Sequence, residues 1–478
     1  MASDPIATAF SIDVRSLVDL QALCPELQII TVSAGERYDA LCKSSNPTVK
    51  ARPFAIITPT HEAQLATVVR YCSSATPPIP LTIRSGGHDI HGRHVLEGVA
   101  LLDVSKLNNI RLSADSKAVT IGAGVKGASL LRALDLFSLT TGTGWCHDVG
   151  MVGWACGGGY GVASGPWGLG ADNVVGARLI TPSGIPVDTD NDPELLWAVR
   201  GAGLGNFGVI SELRLRVRPR PRQLAGMITF PLQDAKTILG EGLYRMSTDG
   251  TLPPNYTGEF MIATTPEAPI MIFLWSWIAD PELDADGEEE SIKRGWQFLQ
   301  NFKSLGTVLA DTVEETTMRK FQESLKPYMT TSAYAHMNSS AISQLSPEVV
   351  DILMKNSPPL GSPSAIVCHH SHGQTEKRNG PKYRSYPVRG EHYILGVTGM
   401  WNEGSTQAFV GEQVHWANTV HEAISKTTAL LESRYWSFAR PEHCNSLSFF
   451  EEEGVAKLGA LKRRYNPSNA FPAAFPVL

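Results

Sequence analysis

The chain reads as a two-domain α+β protein, and three observations predict it. At 478 residues it is too long for one compact core. Helix-period and strand-period segments follow one another up to Pro219-Arg220-Pro221-Arg222, which interrupts them. Alternating prolines remove backbone donors and resist both helix and central strand. Beyond this stiff connector new strand signals begin near Gln223, so one domain is expected over 1–222 and another over 223–434.

The elements justify themselves in order. Residues 62–72 place Leu65, Val68, Val69 and Cys72 on one stripe, the period of a helix. Pro77, Pro78 and Pro80 end it, and Leu81-Thr82-Ile83-Arg84 enters a glycine loop as a strand. A helix is expected over 128–137. Residues 209–217 set Leu213, Leu215 and Val217 against Glu212, Arg214 and Arg216, the alternation of a half-buried strand. In the second region the strongest strand signal is 270–278, with Trp275 and Trp277 on one face. The acidic run 280–290 is expected to be a solvated loop opening a helix, where carboxylates suit the positive end of the helix dipole.

Bulk numbers exclude several function classes. A formal charge of −6 with 18% charged residues leaves no basic footprint for nucleic acid and no polybasic membrane patch. No apolar run is long enough to span a bilayer. The opening Met1-Ala2-Ser3-Asp4-Pro5 lacks a basic segment followed by an apolar core, so no secretory signal is visible, and either a cytoplasmic protein or one already processed is the expectation. The cysteines, 7 in all, include no C-x-x-C, which argues against a zinc site or a disulfide scaffold.

Chemistry is concentrated in glycine-rich segments. Arg84-Ser85-Gly86-Gly87-His88, Gly144-Trp145-Cys146 and Gly157-Gly158-Gly159-Tyr160-Gly161 spend backbone entropy that only a close approach or an unusual turn justifies. A histidine and a cysteine at the edges of such segments suit a protein that presses its backbone on a planar cofactor and bonds to it. Two further segments, Gly122-Ala123-Gly124-Val125-Lys126-Gly127 and Gly203-Leu204-Gly205-Asn206-Phe207-Gly208, fit G-x-G-x-x-G. A dinucleotide site needs strand, glycine turn, helix and a second strand ending in an acidic residue. The second match runs straight into the strand 209–217, and the first leads to another glycine loop, so neither supports a nicotinamide site.

These motifs closely resemble the FAD-linked oxidases of the vanillyl-alcohol oxidase type, in their berberine-bridge-enzyme-like branch. Leu102-Asp103-Val104-Ser105-Lys106-Leu107-Asn108, Gly168-Leu169-Gly170-Ala171-Asp172-Asn173-Val174, Leu196-Trp197-Ala198-Val199-Arg200-Gly201 and Arg464-Tyr465-Asn466-Pro467-Ser468-Asn469-Ala470-Phe471 match further family segments in the right order. The resemblance implies a PCMH/VAO-type FAD-binding fold, a substrate domain whose antiparallel sheet covers the flavin, and a segment 435–478 returning to the FAD-binding domain. It implies bicovalent FAD, with His88 on the 8α-methyl and Cys146 on ring position 6. Arg84, Ser85, Gly86, Gly87, Gly150, Gly157, Gly158, Gly159, Tyr160, Gly161 and Asn445 become the remaining expected cofactor contacts, backbone amides serving as an anion nest for pyrophosphate. Val149 falls where relatives control O2 access to the ring, and a valine there suits an oxidase. Cys24 and Cys72 occupy positions often bridged in secreted relatives; without a signal peptide they are expected to stay free. Cys156, directly before the glycine run, reads as a packed thiol.

The chain departs from the family at the proton acceptor. Relatives use a Glu in the strand after P-H-R-x-G or a Tyr after the C-terminal Asn. Here Pro387-Val388-Arg389-Gly390 leads to Ile394 or Leu395 at the Glu position, and Ser446 takes the Tyr position. Cys368-His369-His370-Ser371-His372 is the expected replacement source: on a strand Cys368, His370 and His372 share one face and His369 takes the other. Without neighbouring carboxylates in sequence no metal is expected there. Histidine titrates near neutrality, so His370 first and His443 second are the expected bases. The leading function is oxidation of a small, fairly apolar molecule, an alkaloid or polyketide, with O2 reoxidising the flavin to give H2O2. A pericyclase keeping FAD as a structural element is the alternative, suggested by the loss of both family bases, and a non-catalytic flavin- or ligand-binding protein is a third.

Overall fold

The structure, a computed structural model, describes residues 15–329, 332–377, 383–388, 390–441, 450, 452–475 and 478. Two small sheets organise the N-terminal half. In one, Ile56–Thr58, Ala100–Asp103 and Leu81–Arg84 run parallel, with Gln28–Ile30 antiparallel at the edge. The other is antiparallel, in the order Ile110–Leu112, Ala118–Gly122, Val209–Arg216, Val174–Ile180, Pro186–Asp188. The helix Glu62–Ser74 buries Leu65, Val68, Val69 and Cys72 along the expected stripe. Its Glu62 accepts from Arg178 Nε at 2.9 Å and Ser211 Oγ at 2.8 Å, which ties the helix to the antiparallel sheet. Val209–Arg216 buries Leu213 and Leu215, as its alternation requires. Cys24 and Cys72 are both free thiols.

The C-terminal segment closes this half. Leu81 N donates to Ala470 O at 3.3 Å, and Phe475 N to Leu204 O at 2.9 Å. Trp436, Leu458, Leu461, Phe471 and Phe475 share one core with Leu65, Leu102 and Leu213.

The second half is built on a large antiparallel sheet. Six strands carry it: β1 (Gln223–Pro231), β2 (Tyr256–Thr264), β3 (Pro269–Ile278), β4 (Tyr334–Ile342), β5 (Ala365–Ser371) and β6 (His392–Trp401). They lie in the order β1-β3-β2-β5-β6-β4, with short strands at the edges. One face packs Phe230, Phe273, Trp275, Cys368, Leu395 and Val397 against the helices Glu288–Lys303, Pro347–Lys355 and Gln407–Ser425. The other face roofs a cavity against the N-terminal half.

Two expectations need correction. The connector is not a bare linker: Arg218–Pro219 pairs with Leu139–Thr140, and β1 starts at Gln223. The acidic run is only partly solvated. Glu288, Glu289 and Glu290 open the helix as expected, but Asp280 and Asp284 are buried. Asp280 accepts from Trp167 Nε1 at 2.5 Å, and Asp284 accepts from Asn255 Nδ2 and from the amide of Asp280. A buried carboxylate fully used by donors is a turn-former, not a solvated charge.

Burial holds several histidines neutral. It pushes His94 down to about 4, and His372 and His392 down to about 3. His392 Nδ1 donates to Gly390 O at 2.9 Å, so Nε2 is left to accept from Tyr160 Oη at 2.5 Å. Below pH 6.5 the unfolded chain binds protons at these positions that the folded chain refuses, so stability falls as pH falls. The loss is at most ~1.4 kcal/mol per pH unit for each histidine. The melting temperature is expected to drop steadily between pH 6.5 and pH 4, and His372→Asn to flatten that slope in calorimetry.

Candidate active site

The site begins where Leu81–Arg84 runs into its glycine loop. Arg84 ends the strand by donating from Nη2 to Asp103 Oδ2 at 2.6 Å and from Nη1 to Leu41 O. Gly86 then meets Gly150 backbone to backbone. A Cβ on Gly86 would fall on the amide of Gly150, and one on Gly150 would lie 2.6 Å from the amide of Gly86 and 2.5 Å from Ser85 Oγ. Two chains approach this closely only when both lack a side chain. The contact sets the loop carrying His88 beside the loop carrying Cys146, and both residues line one cavity of about 650 Å³.

The cysteine loop is braced from behind. Gly144 lies against the Trp154 indole, whose Nε1 donates to Tyr160 O at 2.7 Å. Gln322 Nε2 donates to Gly144 O at 3.0 Å from the other side. Burial pushes the Cys146 thiol up to about 11, helped by the charges of Glu259 and Asp148. Burial lowers His88, and its Nε2 is buried without a partner. A neutral imidazole keeps a lone pair, so His88 is chemically suited to attach an electron-poor ring. Cys156 is a buried thiol pushed up to about 12 by burial.

The cavity takes only part of the expected contact set. Ser85, Gly86, Gly87, His88, Cys146, Val149, Gly150 and Tyr160 line it. Arg84 does not, because its guanidinium is spent on Asp103 and Leu41. Nor do Gly157, Gly158, Gly159 and Gly161. They pack instead on the Gly153 carbonyl, the Tyr386 ring, Gly170 and the Thr143 carbonyl. The glycine segment on the wall is one set aside as a failed dinucleotide motif: Gly203, Gly205 and Gly208 line the cavity. His443 and Asn445 lie outside the described residues. The mixture of an unpartnered buried histidine, a second nucleophile and side-chain-free backbone fits a large planar cofactor.

The roof turns His370, the first expected base, away from the cavity. On β5, His370 faces the helices, not the cavity. It is fully buried, stacked on Tyr393 at 4.2 Å, and its Nε2 lies 3.0 Å from Glu391 Oε1. His369, on the opposite face, lines the cavity. Its Nδ1 donates to Glu259 Oε2 on β2 at 2.6 Å. Tyr160 stacks on its ring at 5.4 Å, and Phe438 lies 4.8 Å away. On β6, Ile394 pairs with His369 and Leu395 with Cys368, so Leu395 points to the helices and neither supplies a carboxylate. Met227, Met261, Met337 and Met400 complete an apolar roof with Ile272, Leu274 and Val367.

Sequence alternation separated His369 from His370 but did not say which face was the cavity. Glu259 carried the missing signal: a lone carboxylate inside the otherwise uncharged strand Tyr256–Thr264. Burying it without a partner would be costly, which calls for a donor on a neighbouring strand.

The chain is similar to several known proteins. Residues 53–190 match the FAD binding domain family. The chain is 30% identical over 468 residues to the FAD-linked oxidoreductase aurO of Gibberella zeae, covering 95% of this chain and 86% of that one. It is 36% identical over 197 residues to (R)-6-hydroxynicotine oxidase of Paenarthrobacter nicotinovorans, covering 40% of this chain and 42% of that one. Reticuline oxidase of Papaver somniferum is 33% identical over 208 residues, covering 42% of this chain and 38% of that one. The fold superposes on 6-hydroxy-D-nicotine oxidase from Arthrobacter nicotinovorans with a TM-score of 0.80 at 22% identity, over 95% of this chain and 98% of that one. It superposes on a berberine bridge enzyme variant in complex with (S)-reticuline with a TM-score of 0.81 at 19% identity, over 98% of this chain and 100% of that one.

The glycine contact yields a direct test. Gly150→Ala adds a methyl that must displace Ser85 or the backbone of Gly86. Overpacking of this kind costs about 1–3 kcal/mol. The variant is expected to melt several degrees lower and to purify with less flavin per chain, read from absorbance at the flavin band against protein.

Proposed function

The chain belongs to the FAD-linked oxidoreductases of the vanillyl-alcohol oxidase type, in their berberine-bridge-enzyme-like branch, and from that premise we propose that it oxidises a small, largely apolar secondary metabolite, an alkaloid or polyketide, using O2 as final acceptor. The observation that carries the proposal is one cavity holding both His88 and Cys146 and running under a methionine-lined roof. FAD, when bound, supplies a hydride acceptor that O2 reoxidises, releasing H2O2.

The chain's own residues divide the remaining work. His88 and Cys146 would hold the cofactor at two points and fix its orientation. Ser85, Gly86, Gly87, Gly203, Gly205 and Gly208 offer backbone without intervening bulk. Flexible methionine thioethers adapt to an apolar frame and exclude water from the reacting carbon. No helix among the described residues is long and apolar enough to cross a membrane. The relatives' names are those of oxidases and oxidoreductases, which favours redox turnover over a pericyclic isomerisation.

Val149 lines the cavity three positions after Cys146. Val149→Leu adds one methylene to a close-packed wall, and such walls register one methylene. In stopped flow it is expected to slow reoxidation by O2 while leaving reduction by substrate nearly unchanged. Turnover itself is expected to consume one O2 per product formed. An isomer of unchanged mass without O2 uptake would select the pericyclic alternative.

A further inference from the structure

We propose that Glu259 and His369 form the proton-accepting pair of this enzyme, and that its substrate therefore presents a hydrogen-bond donor, a phenol or alcohol O–H or an amine N–H, on an apolar frame. The inference rests on the oxidase reading above and adds to it the residue that takes the proton and the chemistry the substrate must carry.

The geometry points there from several sides. Phe260 pairs with Cys368 across β2 and β5, so the next residues along, Glu259 and His369, stand side by side on the cavity face. The Glu259 side chain is 2% exposed and that of His369 10% exposed. A carboxylate can only accept, so the 2.6 Å contact places an N–H on Nδ1, and a ring that carries no second proton keeps a lone pair on Nε2. Tyr160 on one face and Phe438 on another hold the ring in place. Glu259 Oε1 is a second acceptor, buried and without a partner. Its charge also acts on the Cys146 thiol, so the carboxylate sits within electrostatic reach of the attachment residue.

The electrostatics decide the substrate class. Both unused atoms at this point of the roof are acceptors. Arg93 is the one lysine or arginine among the described residues lining the cavity, and it is ion-paired with Asp89. A carboxylate or phosphate substrate would meet the Glu259 charge with no cation to offset it. An O–H or N–H meets two lone pairs.

The step balances. The proton of the substrate O–H or N–H passes to His369 Nε2, and Glu259 stabilises the imidazolium. Where the donor-bearing carbon carries a hydrogen, as in an alcohol or amine, that C–H bonding pair would leave as hydride to the acceptor that FAD supplies when bound, and a carbon–heteroatom double bond forms. In a phenol the hydride would leave instead from a benzylic carbon para to the oxygen, and a quinone methide forms. O2 then takes the two electrons and protons as H2O2. His369 is the catalytic residue and Glu259 its positioning residue.

Among the described residues, the titratable groups in contact with His369 are Glu259 on β2, Tyr160 in the glycine segment and Tyr435 in the C-terminal segment. The flavin-loaded protein is tested in two arms. In calorimetric binding, 4-ethylphenol, whose O–H stays protonated at neutral pH, should bind at least about tenfold tighter than 4-ethylanisole, which has the same frame without the donor. Glu259→Gln should weaken that preference with flavin content and melting temperature near wild type. His369→Leu should abolish it with flavin content retained, although it melts lower because Glu259 loses its partner. In stopped flow, His369→Leu should slow reduction by about 10²–10⁴-fold and remove the acidic limb of the rate–pH profile. Glu259→Gln should move that limb to lower pH, because an imidazolium without its carboxylate loses its proton more readily. A structural role alone would not shift the limb. Equal binding of phenol and ether by wild type, or normal reduction by both variants, overturns the pair while leaving the oxidase reading intact. Retained phenol preference without flavin reduction by any donor substrate overturns the oxidase reading and leaves the pair as a binding site.

Discussion

The backbone contact between Gly86 and Gly150 is the constraint on which the rest of the site depends. It joins a loop leaving the parallel sheet to a loop that precedes the helix Met151–Cys156. Because no side chain separates them, His88 and Cys146 reach the same cavity from different parts of the chain. Arg84 anchors the first loop to Asp103, while Trp154 and Gln322 brace the second. The glycines cost conformational entropy, and the hydrophobic core shared with the C-terminal segment offsets it.

The roof sheet solves a different problem, that of placing a polar pair in an apolar wall. Its strand period puts aromatic bulk toward the helices and methionines toward the cavity. The same period places His370 in a buried cluster with Glu391 and Tyr393, and its neighbour His369 on the cavity with Glu259. One residue of register thus separates a packing histidine from one available to a ligand.

Much of the fold was legible in the sequence. The helix stripe of Leu65, Val68, Val69 and Cys72, the alternation through Leu213 and Leu215, and the strand around Trp275 and Trp277 all follow from local periodicity. What local patterns could not convey was which surface each glycine faces. The run Gly157 to Gly159 looked like a cofactor cradle and packs on protein, whereas Gly203, Gly205 and Gly208 looked like a failed motif and line the cavity. The cavity-facing histidine was missed for the same reason. Choosing between His369 and His370 required knowing that Glu259, distant in sequence, stands on the neighbouring strand. Asp280 and Asp284 repeat the lesson: their burial depends on Trp167 and Asn255, which no acidic-run pattern contains.

The central claim is that two glycine loops bring His88 and Cys146 to one flavin. Proteolysis of the denatured, flavin-loaded protein followed by mass spectrometry tests it most directly. The account predicts one species in which a single FAD joins the peptide containing His88 to the peptide containing Cys146. Recovery of both peptides at their unmodified masses, with FAD free in solution, would contradict it.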